Sequence, residues 1–115
     1  MRRIAGPTES TLEGRVLRVL GAANLPLPVC QHRVVVDGKL YRLDMGWVET
    51  RVFSEADGFE HHSSRQAFDA DRRRDNALAA NGWIGVHLTS NFSDAEIAEA
   101  VRKVLELAEL RNRGG

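Results

Sequence analysis

The chain has 115 residues, with 16 basic and 16 acidic groups, 43% hydrophobic and 28% charged residues, and a single cysteine. These values describe one domain of ordinary globular composition, and they exclude an internal disulfide framework and a global basic signature for nucleic acid. No apolar run approaches the roughly 18 residues of a membrane span, and no apolar stretch follows the two arginines of MRRIAGPTES, so the expected compartment is the cytoplasm.

The first helix is expected from Ser10, where Ser10-Thr11-Leu12-Glu13 reads as a capping box. Leu12, Val16, Val19 and Leu20 supply its apolar stripe, and Asn24 with the LPLP segment ends it. Arg33 to Val36 is a β-branched strand, Asp37-Gly38 a hairpin turn, and Lys39 to Gly46 the returning strand. A turn at Val48-Glu49-Thr50 leads to a third strand, Arg51 to Ala56. A helix is expected from about Ser64 to Ala80, stopped by Asn81-Gly82, then a strand from Trp83 to Leu88. Ser93 and Glu96 form a second capping box, before a last helix with Ile97, Ala100, Val101, Val104, Leu105 and Ala108 on its buried side. The order α-β-β-β-α-β-α implies an α/β, or α+β mixed, fold with a mixed sheet and helices on both faces. A single domain spans residues 10–110, flanked by flexible ends at 1–9 and 111–115.

Charge is unevenly spread. Residues 1–42 carry seven basic and three acidic groups, and residues 43–75 carry five and eight. An acidic middle beside a basic flank suits a metal centre with phosphate-gripping surroundings, though it also arises by chance. Within that middle, LDMGWVETRVFSEAD places Asp44 on one strand and Glu55 and Asp57 on one face of the next. Hard cations such as Mg²⁺, or Mn²⁺ in its place, take oxygen ligands and leave room for phosphate and water, so the pattern points to metal-assisted phosphodiester hydrolysis. Asp57-Gly58 is also a turn signal. In the helix over 64–80, Ala67, Phe68, Leu78 and Ala79 share the arc expected to face the sheet, with Asp71 and Asp75 in its middle. Inward carboxylates need partners, either Arg42, His87 or a backbone amide as a structural link, or the metal site itself. Trp47 and Trp83 are expected to pack in the core, and Cys30 to serve as a small apolar residue beside the first strand.

Gln31-His32, LDMGW and VFSEADGFEHHSSRQAFDADRRRDNALAANGW together resemble the Vsr-like branch of the PD-(D/E)xK nuclease superfamily, across roughly residues 10 to 108. The resemblance is closest to a bacterial domain related to very-short-patch-repair endonucleases. It implies a restriction-endonuclease-like α-β-β-β-α-β core with a C-terminal helix. By the same resemblance, Asp44 and Glu55 bind metal, Glu13 completes the site from the first helix, and Asp57 stands where the superfamily name has lysine. His62, with His61 the alternative, serves as general base or phosphate contact. Gln31, Arg65, Arg72 and Arg74 contact nucleic acid. The chain departs from the pattern at Val48, where a proline is usual, at His87, where arginine is usual, and at Gly85, which interrupts the fourth strand. The expected activity is a Mg²⁺-dependent DNA endonuclease or nickase acting in repair or defence, as a monomer or homodimer. The alternative is a nuclease fold without chemistry that binds nucleic acid or a protein partner in a toxin–antitoxin or defence locus.

Overall fold

A computed structural model describes residues 8–57 and 64–114. Three helices and a four-stranded mixed sheet follow the expected order: α1 (Thr8–Ala22), β1 (Val29–Val36), β2 (Lys39–Trp47), β3 (Val52–Asp57), α2 (Arg65–Ala80), β4 (Ile84–Thr89) and α3 (Asp94–Gly114). The sheet runs β1-β2-β3-β4, antiparallel except for the parallel pair β3–β4, which α2 bridges as a crossover.

Local chemistry sets most of the boundaries. Asp37 and Gly38 both take positive φ, 54° and 78°, which a two-residue turn matched to the strand twist requires. α1 stops at Asn24, held at φ 59°, where the Asn24 and Leu25 amides donate to Gly21 and Leu20 carbonyls. α2 closes in the same way around Gly82 at φ 90°, with Trp83 donating to Leu78. Ser93 and Glu96 cap α3 reciprocally, at 3.1 and 2.8 Å.

α1 begins at Thr8, before the expected Ser10, so Glu13 lies inside the helix. α3 runs to Gly114, and Arg111 Nη2 donates to the Gly82 carbonyl at 2.9 Å.

The sheet separates two apolar clusters. Leu12, Val16 and Leu20 of α1 and Ile97, Val101, Leu105 and Ala108 of α3 cover one face, over Met45, Trp47, Val52 and Leu88. Leu78 of α2 covers the other, with Val36, Leu43, Phe53 and Trp83. Arg15 clasps the first cluster from outside, donating to Asp94, Ser90 and Phe92. Gly85, expected to weaken β4, instead makes room for Phe53. A Cβ there would sit 2.8 Å from Phe53 Cζ, and the ring meets Trp83 edge-on with centroids 6.5 Å apart.

The β1–β2 hairpin changes face midway. Strict alternation would keep Cys30 with Val34 and Val36, and Met45 with Leu43. Cys30 and Met45 instead join the α1/α3 cluster, while Val34, Val36 and Leu43 join the α2 cluster. The switch falls where Gln31 takes φ 55° and the Gln31–Asp44 step is missing from the ladder, between Cys30↔Met45 and His32↔Leu43.

Candidate functional site

That break lies at two of the residues singled out from sequence. Gln31 turns toward α1, and its Nε2 donates to Glu13 Oε2 at 2.9 Å. The bond orients the Glu13 carboxylate beside the first strand. Cys30 lies next to the same group. Burial, then the charges of Glu13 and Asp44, push its thiol above the ordinary value. Glu13 and Asp44 therefore both bear on Cys30, one from α1 and one from β2.

Glu55 enters from the neighbouring strand. The β2–β3 ladder pairs Met45 with Ser54, and Asp44 and Glu55 directly follow that pair on the two strands. On its other side Glu55 stands beside His87 of β4, and Asp57 ends β3 opposite Thr89. Alternation sends Ser54 into the α1/α3 core, where its hydroxyl is fully buried with no hydrogen-bond partner. Phe53 and Glu55 point to the α2 side.

The helix above Glu55 is not apolar as expected. Phe68 is 47% exposed, and Leu78 is the fully buried residue of α2. Arg74 and Asp75 take the inward position. Arg74 Nη1 lies 3.5 Å from Glu55 Oε2, and the two side chains are only 17% and 14% exposed. The Nε and Nη2 of Arg74 donate to Asp75 Oδ1, both at 3.3 Å, while Arg72 Nη2 donates to Asp75 Oδ2 at 2.9 Å. Asp75 thus finds partners in two arginines of its own helix. Arg72 also lies over the Phe68 ring, 5.2 Å from its centroid, which accounts for the outward turn of that residue. Arg65 is exposed at the start of α2, after Ser64, whose side chain caps the helix by accepting from Ala67 N.

Glu13 and Asp44 thus both bear on Cys30, while Glu55 stands on the α2 side of the sheet beside Arg74. Among the described residues, no three His, Cys, Asp or Glu side chains form a group that could hold a metal ion. His61 and His62 lie outside the described residues. Sequence reasoning missed two features here. The Glu55–Arg74 pair escaped because apolarity placed Phe68 inward. The position of Cys30 between two carboxylates had one signal, its place directly before Gln31.

A scan against protein-family models finds no match, and neither does a search of curated proteins. No helix among the described residues is long and apolar enough to cross a membrane.

Proposed function

We propose that the chain is a metal-dependent DNA endonuclease or nickase with a restriction-endonuclease-like, Vsr-like fold. One observation supports the reading: Asp44 and Glu55 directly follow the Met45↔Ser54 pair on adjacent strands, in a mixed sheet built in α-β-β-β-α-β order. Two carboxylates on adjacent strands repel each other unless a cation or a proton relieves them. Their oxygens are the hard donors that Mg²⁺ or Mn²⁺ takes, so the residues fit such an ion in kind.

In this reading Asp44 and Glu55 hold the ion, Asp57 follows on the same strand as a further oxygen donor, and Glu13 offers another from α1, oriented by Gln31. When bound, the ion polarises the scissile phosphodiester and makes its coordinated water more acidic. His62, or His61 in its place, takes the proton from the attacking water, since histidine titrates near neutral pH. Arg65 and Arg72 sit on the open side of α2 and contact flanking phosphates, a contribution that weakens with salt.

Calorimetric titration of Mn²⁺ into the wild type and the Asp44→Asn variant, with supercoiled-plasmid nicking by both, tests this. Binding and nicking present in the wild type and lost in the variant are the expected result. A wild type that neither binds Mn²⁺ nor nicks ends the enzyme reading. The second reading, a nuclease-shaped module that binds nucleic acid or a protein partner without cutting, is favoured by the cation that Glu55 already has in Arg74. It predicts DNA or partner binding that ignores divalent ions.

A further inference from the structure

We propose that Arg74 is a built-in counter-ion for Glu55, holding that carboxylate until a divalent cation displaces the guanidinium from it. The inference rests on the reading of Asp44 and Glu55 as cation ligands, and it deepens that reading by naming what the cation must compete with.

The guanidinium of Arg74 is divided between two acids. Its Nε and Nη2 face Asp75 Oδ1, and its Nη1 faces Glu55 Oε2. Asp75 is further tied by Arg72 at 2.9 Å, so the Arg72–Asp75–Arg74 group is an anchored unit on α2. Glu55 is reached by a single contact at 3.5 Å and Asp75 by two bonds of 3.3 Å, which makes Glu55 the looser of the two attachments. Glu55 and Arg74 are both largely withdrawn from water. In such surroundings a charged carboxylate is costly without a counter-charge, and Arg74 supplies one.

A guanidinium and a divalent ion on the same carboxylate oxygen repel each other strongly where water is scarce. The two therefore exchange rather than share. The exchange leaves no stranded charge, because Asp75 keeps the arginine by its other edge while Nη1 comes away from Glu55. Asp75 thus acts as a parking place for Arg74. It is a positioning residue that touches neither metal nor substrate.

Opposite mutational effects distinguish this from a merely structural ion network. Arg74→Met removes the competitor, and Mn²⁺ is expected to bind about tenfold more tightly by calorimetry. Asp75→Asn removes the parking place and leaves Arg74 wholly on Glu55, so Mn²⁺ is expected to bind more weakly than in the wild type. A structural network predicts instead that both variants lower thermal stability and move Mn²⁺ affinity in the same direction. Circular dichroism of each variant without metal confirms that it is folded before it is titrated. If either variant fails to fold, the wild type itself carries the test. On titration with Mg²⁺ the Arg74 Nη–H resonances in ¹⁵N-labelled protein shift as the Glu55 contact breaks, and resonances that stay in place while Mg²⁺ binds overturn the proposal. Wild type that binds Mn²⁺, with Arg74→Met no tighter, overturns the counter-ion role alone. Wild type that binds no Mn²⁺ overturns the metal site and this inference together.

Discussion

Gln31, held at φ 55°, donates a 2.9 Å hydrogen bond to Glu13, eighteen residues before it on the first helix. A side chain with a Cβ in the left-handed region costs about 1 kcal/mol relative to glycine. That cost is kept at the point where β1 and β2 change face and where Asp44 leaves the ladder. Gln31→Gly is therefore expected to hold or raise stability, by up to about 1 kcal/mol in urea titration, while weakening Mn²⁺ binding by loosening Glu13. A variant that loses stability and binds Mn²⁺ unchanged contradicts this account.

Cys30 supplies a pH signature of the same neighbourhood. Its thiol is pushed above the ordinary value of 9.0 by burial first, then by Glu13 and Asp44. In the folded chain the proton is held more tightly than in the unfolded one. The contribution to stability is intact below the unfolded value and is lost as pH rises from there through the higher folded value. Asp44→Asn removes one of the two charges, so the pH midpoint for alkylation of Cys30 is expected to fall while remaining above the ordinary value, since burial persists. An unchanged midpoint would place Asp44 away from the thiol.

Gly85→Ala tests the packing on the α2 side. The added methyl would meet Phe53 at 2.8 Å, and Phe53 is wedged against Trp83. A loss of about 1 to 3 kcal/mol is expected, as for other overpacked sites, measured as a lower urea midpoint with unchanged slope. A stabilised variant would mean that this glycine weakens β4 after all.

Element order was legible because punctuation in this chain is local. Asp37-Gly38, Asn81-Gly82 and the Ser93–Glu96 pair each act over a few residues, and each behaves in the structure as its chemistry dictates. The reading failed where a distant partner outbid a local one. Ser10 and Glu13 had the spacing of a cap, but the helix starts earlier, at Thr8, and Glu13 meets Gln31 of β1. Phe68 had the apolarity of a core residue, but Glu55 on β3 drew Arg74 inward and Arg72 covered the ring from outside. The change of face at Gln31 had no glycine or asparagine to announce it. Of the candidate site, the placement of Asp44 and Glu55 on adjacent strands followed from the strand and turn pattern. The cation beside Glu55 and the thiol between two acids depend on how α2 and α1 settle on the sheet, which residue spacing does not encode.

The parallel pairing of β3 with β4 also bears on the order in which the chain assembles. β1 and β2 pair around a tight turn, whereas Val52 meets Ile84 only after the whole of α2 has been crossed. Loop-closure entropy favours the hairpin first and the parallel pair last. Until β4 docks, a growing chain carries an antiparallel sheet whose β3 edge is bare, and such edges recruit strands from other molecules. The arrival of α2 and β4 both seals that edge and sets Arg74 and His87 beside Glu55, so a chain that has escaped aggregation is also one whose carboxylates are in place.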